Sequence, residues 1–138
     1  MTRDRGSVSL YVVLFTPAVL LLAGLLVDGG LAIHARQRAA DMAEQAARAG
    51  ANQIDEASLR ETGKPLIDPD RARSAACALV DEYEGNVTGK QCDATQEEVE
   101  VTVELTVDLQ ILGIVPGFGS FSMRSSASAE PVTGDDPQ

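Results

Sequence analysis

The sequence is poor in the residues that most chemistry needs. Its 138 residues include no tryptophan, four per cent aromatics, one histidine (His34) and two cysteines. A lone histidine, with no serine or cysteine near it to form a nucleophilic pair, leaves the usual hydrolytic constellations without a base. Cys77 and Cys92 stand fifteen apart in a segment lacking histidine, too few ligands for a tetrahedral metal site. Basic residues are also scarce: 11 Lys+Arg against 21 Asp+Glu give a formal net charge of −10. Such a chain repels nucleic acid and anionic lipid. Glycines fall singly or at turns, with no phosphate-cradling loop before a helix. No catalytic residue, metal or cofactor is expected, and with so few aromatics any core is aliphatic and modest.

What is present begins with a 22-residue run from Gly6 to Val27 that carries no charge. At about 1.5 Å per residue it is about 33 Å long, enough to cross a hydrocarbon core of roughly 30 Å. A secretory signal has a shorter apolar region and then a small-residue cleavage site. The alanines further on offer such sites, and a soluble protein cut near Ala40 is one reading; helical periodicity continues through them to about Ile54, which favours a retained membrane helix. Arg3 and Arg5 flank one end of the run and Arg36, Arg38 and Arg48 follow the other, so basic residues do not set the orientation. The cysteine pair does: a Cys77–Cys92 disulfide suits an oxidising, extracytoplasmic compartment and puts the N-terminus inside, the alternative being two unpaired buried thiols.

The expected organisation is a leader (1–6), a transmembrane helix (7–28), an alanine-rich amphipathic helix (29–57), a small α+β extracytoplasmic domain (58–131) and a disordered tail (132–138). Pro17 removes a backbone bond inside the apolar run, and Thr16 can supply part of it. Asp28-Gly29-Gly30 marks the membrane exit and invites a flexible junction or a local break, since each glycine costs about 1 kcal/mol in a helix relative to alanine. Ala35, Ala39, Met42, Ala46 and Ala49 recur at spacings of four and three, a narrow seam of small side chains that lets another backbone come close. Its partner is either a neighbouring subunit or the protein's own sheet. Residues 61–69 should form a loop, followed by a helix of about 70–83 capped by Asp68, with Pro69 at its first position. Val99 to Ile111 alternate apolar and polar without a fault, the strongest strand signal, and Phe121 to Ala129 alternate more weakly. The two should pair as an antiparallel hairpin through LGIVPGFGS, an unusually apolar connection that touches the membrane surface, a partner or its own core.

The basic leader ending in Gly6, the apolar helix with Pro17, the exit LLVDGG and the stretch ARQRAADMAEQAARAGA together resemble the TadE/TadG-like family of Tad (Flp-type) pilus-assembly proteins, in the form found in high-GC Gram-positive bacteria. The resemblance is specific from about Arg5 to Ala51. It implies a pilin-like α+β fold: a long N-terminal helix, membrane-spanning then amphipathic, bearing a small antiparallel sheet outside the cytoplasmic membrane. It also implies other pilus or secretion-apparatus subunits as partners, and a prepilin peptidase that would cut between Gly6 and Ser7. Type IV-like prepilins usually carry a glutamate five residues into the mature chain, where Tyr11 stands here. The alternative is an anchored extracytoplasmic accessory domain that does not polymerise.

Overall fold

The computed structural model describes residues 5–83, 85–117 and 119–132, with side chains from residue 8 onward. The leader's residues 1–4, Phe118 and residues 133–138 of the expected tail lie outside the described residues. The elements are α1 (Arg5–Ala51), α2 (Glu56–Thr62), α3 (Pro69–Glu82), β1 (Val87–Ala94), β2 (Val99–Asp108), a 3-10 turn (Leu112–Ile114) and β3 (Ser120–Ala129). The fold is α+β, as expected: one long N-terminal helix and a small antiparallel sheet.

α1 has 47 residues, about 70 Å at the helical rise. It runs through Gly29-Gly30 without the expected interruption. The two glycines lie between segments fixed by tertiary contacts, Asp28 on one side and the core from Ala39 on the other, and those contacts outweigh the propensity cost. At Pro17, the Thr16 hydroxyl donates to the Val12 carbonyl at 2.7 Å. That is one residue before Val13, whose carbonyl loses its normal donor to the proline ring, so Thr16 does not replace the missing bond.

The helix ends at Ala51, not near 57. Gln53 donates to the Gly50 carbonyl at 2.9 Å, tightening the last turn, and Ile54 then forms an isolated antiparallel bridge with Ile67. This sets Asp55, whose side chain accepts from the Ala57 amide, to cap the short α2, an element the sequence reading did not include. α2 occupies the start of the expected 61–69 loop and stops at Gly63, at φ 70, the left-handed conformation glycine tolerates best. α3 follows the reading closely: Asp68 accepts from the amides of Asp70 and Arg71, and Pro69 opens the helix.

The sheet order is β1-β2-β3, antiparallel throughout. β2 pairs with β3 from Val99↔Ala129 to Asp108↔Ser120. Its Val99, Val101, Val103 and Leu105 face the core, where α1 contributes Ala39, Met42, Ala43, Ala46, Ala47 and Ala51 and α3 contributes Ala72, Ala76 and Val80. Small residues on both helices allow close approach. A methyl group added at Gly50 would lie 2.9 Å from Val99 Cγ1 and 3.0 Å from the Ala72 carbonyl oxygen, so only glycine fits where α1, α3 and β2 meet. β1 is a full eight-residue edge strand. Cys92 is bonded to Cys77, Cα–Cα 5.9 Å, tying β1 to α3.

Candidate functional site

Three features of α1 stand out. The first is its apolar half. From Val8 to Val27 the large side chains lie open, among them Leu14 at 65%, Leu22 at 66% and Leu26 at 79% exposure. Among the described residues α1 is the one helix long and apolar enough to cross a membrane, and only 6% of its most apolar window is buried. A core helix of a soluble domain would be covered. The scissile position expected between Gly6 and Ser7 falls in the first turns of α1, where no side chain is described; Tyr11 is 66% exposed.

The second feature lies where the apolar run ends. Asp28 is 2% exposed, the only polar side chain buried among the described residues. Its carboxylate accepts backbone N–H groups from three consecutive residues of the β2–β3 connection: Gln110 at 2.9 Å and Ile111 at 3.3 Å on Oδ1, Ile111 at 3.3 Å and Leu112 at 2.7 Å on Oδ2. An ionised carboxylate has lone pairs enough for all of them, which is how the charge tolerates burial. One turn earlier on the same face, a methyl group added at Gly24 would come within 2.9 Å of Ile111 Cγ2 and 3.4 Å of Leu112 Cδ2. Gly24 is the recess and Asp28 the clamp. The clamp also explains why β2 stops at Asp108 although the alternation continues to Ile111: the amides of 110–112 turn toward Asp28 rather than toward a neighbouring strand. The loop packs on the chain's own α1 at Gly24 and Asp28 rather than over the core, while Ile114 remains 82% exposed and Val115 40%.

The third feature is the seam. Ala39, Met42 and Ala46 are 0%, 3% and 0% exposed, inside the chain's own core, with Ala35 and Ala49 at its margins. The buried arc is wider than the seam, since Ala43, Ala47 and Ala51 are buried as well. The protein's own sheet and α3 therefore occupy the surface that a neighbouring subunit could otherwise have used. The exposed positions of this half of α1 are Ile33, at 61%, and polar residues such as Asp41, Glu44 and Arg48.

His34 borders a cleft of about 220 Å³ between α1 and β2, with Leu31, Arg38, Met42 and Leu105, and no carboxylate or thiol lines it among the described residues. No group of three or more His, Cys, Asp or Glu that could hold a metal occurs among the described residues. The carboxyl of Asp68 is held below its usual range by the Arg71 amide and the Arg71 guanidinium, with which it pairs at 2.7 Å. Glu104, on the outer face of the sheet, is likewise lowered, first by Arg124 at 2.9 Å across the β2–β3 pair.

Comparison with known families gives a match to the model described as Putative Flp pilus-assembly TadE/G-like, over residues 6–53. Residues 6–53 are thus similar to that family. It is the same family that the sequence resembles, and the match covers all three features on α1: the apolar half, the Asp28 clamp and the buried seam. No curated protein and no solved structure matches. The domain of residues 54–132 thus stands outside the matched region, and its reading comes from its own geometry.

Sequence reasoning placed Asp28 only as an exit marker. Its partners lie 82 to 84 residues away, beyond any periodicity. The available signal was a pair of oddities, a lone acid ending an uncharged run and one strongly apolar loop.

Proposed function

We propose that the protein is a membrane-anchored, pseudopilin-like component of a Tad-type pilus or related secretion apparatus. Its N-terminus is cytoplasmic, its α+β domain extracytoplasmic, and it acts by anchoring and helix packing rather than by catalysis. The observation that carries this reading is the continuity of α1. One helix exposes an apolar surface over its first half and forms the domain's core with its second, so displacement of the membrane half is transmitted to the domain without an intervening loop. Prepilin peptidase cleavage before Ser7 belongs to the same proposal, motivated by Arg3, Arg5 and Gly6 preceding the uncharged run.

A second reading is an anchored accessory domain that never polymerises. Two observations favour it: Tyr11 stands where prepilins usually carry an acid, and the alanine seam is filled by the chain's own core. A photocrosslinking residue placed at Leu14, 65% exposed on α1, separates the two in the native membrane. Adducts to a second copy or to another pilus component are expected. Adducts to lipid alone would contradict incorporation and leave the accessory domain. N-terminal sequencing of the membrane form is expected to begin at Ser7; a start at Met1 or Thr2 would contradict processing.

A further inference from the structure

The β2–β3 connection sits at the level where α1 leaves its apolar run. Ile111 touches the Gly24 position, four residues and about 6 Å along the axis inside Asp28. At that level the other side chains of α1, Leu25 and Leu26 among them, are open and apolar. The loop beside them exposes Ile114 and Val115, which in water forgoes a favourable burial.

Irregular backbone enters a low-dielectric layer only if its polar groups are satisfied internally. This loop meets that demand for six of its amides. The amide of Leu109 donates to the Gly119 carbonyl, those of Ile114 and Val115 to Ile111 and Leu112, and those of Gln110, Ile111 and Leu112 to Asp28. Pro116 has no N–H to satisfy. A loop facing only water would not need a buried carboxylate to collect three consecutive amides, because solvent would serve them.

We propose that this loop is a second membrane contact: held by Asp28 and seated on Gly24, it lays Ile114 and Val115 into the headgroup–acyl boundary of the bilayer. The proposal rests on the reading that α1 spans that bilayer. The occupant is lipid rather than a protein partner because the apolar surface of the loop is continuous with the uncovered surface of α1. The contact is apolar rather than electrostatic, since the chain carries a net charge of −10 and would be repelled by anionic headgroups. Its depth is interfacial, as for other apolar segments lying at this boundary. Two contacts, one spanning and one lateral, fix the tilt and rotation of the domain over the membrane, which a single helix does not. Asp28 is a positioning residue in this arrangement.

The absence of tryptophan from the chain gives a direct test. Full-length protein carrying Ile114→Trp is reconstituted into phosphatidylcholine vesicles with brominated acyl chains and its emission recorded. Leu20→Trp reports the anchor, and Ser126→Trp, on the outer sheet face, reports the water-exposed domain. Ile114→Trp is expected to be blue-shifted and quenched severalfold more than Ser126→Trp, and adding Asp28→Asn should return it to the Ser126 level. Quenching at Leu20→Trp without quenching at Ile114→Trp would overturn the loop contact and leave the anchor standing. No quenching at either position would overturn the anchor and the loop contact together. Quenching at Ile114→Trp that survives Asp28→Asn would overturn the role of the clamp.

Discussion

Replacing a glycine by alanine should have opposite effects at two places on α1. At Gly50 the added methyl meets Val99 Cγ1 at 2.9 Å, the Ala72 carbonyl oxygen at 3.0 Å and Ala76 Cβ at 3.3 Å. The carbonyl belongs to α3 and cannot rotate away. Val99 is fully buried and β-branched, with little rotamer freedom. α1 and α3 must therefore move apart by several tenths of an ångström, at a typical overpacking cost of about 1–3 kcal/mol. The helix propensity gained offsets about 1 kcal/mol of this, leaving a net loss of up to about 2 kcal/mol. For a domain of this size that lowers Tm by up to roughly 15 °C. At Gly29 and Gly30 nothing lies within 4 Å of the added methyl, so Gly29→Ala and Gly30→Ala should keep the full propensity gain of about 1 kcal/mol each. Thermal unfolding of the disulfide-intact full chain, followed by circular dichroism in detergent, measures all three. The reasoning is refuted if Gly50→Ala stabilises as much as Gly29→Ala. It is equally refuted if the Gly29 or Gly30 variant melts earlier than the parent.

Other perturbations follow the same geometry. Removing the Cys77–Cys92 bridge, with its 15-residue separation, should cost about 3 kcal/mol in the chain-entropy model; denaturant titration of Cys77→Ala/Cys92→Ala against the parent checks this, and an unchanged midpoint would deny the bridge a stabilising role. Ala46→Leu, at a fully buried position, should destabilise the domain by about 1–3 kcal/mol, and Ala47→Leu should behave alike; lost association with other pilus components at unchanged Tm would instead restore the seam as an assembly surface. Asp68 and Glu104 have lowered carboxyl pKa values in the fold, so the stability they contribute is present above the unfolded carboxylate value of about 4 and is lost as pH falls through their folded values. Asp68→Asn should therefore flatten the acid limb of a Tm-against-pH profile while leaving its shape near neutrality unchanged; an acid limb as steep as the parent's would remove Asp68 from its cause.

The elements governed by local rules were legible in the sequence. Asp68-Pro69 announces α3 because cap and first-turn preferences act within four residues. The alternation from Val99 announces β2 because one face is buried and the other wet. β1 escaped because an edge strand with a single buried side chain, Cys92, carries almost no period. α2 escaped because its seven residues bury nothing, and only the Asp55 cap and Gly63 stop define it. The seam of Ala35, Ala39, Met42, Ala46 and Ala49 was legible as a packing surface but not as whose, since small residues on a helix fit an own sheet and a foreign helix equally well. Asp28 was the least legible, because its meaning depends on a loop more than eighty residues away.

The claim on which the rest depends is that α1 anchors an external domain. Carbonate extraction of native membranes, combined with protease added to the outside of intact spheroplasts, tests it most directly. The account predicts that the protein stays in the membrane pellet and that external protease removes the α+β domain, leaving a protected fragment containing Val8–Val27. Release of the protein by carbonate, or a domain that external protease cannot reach, would contradict it.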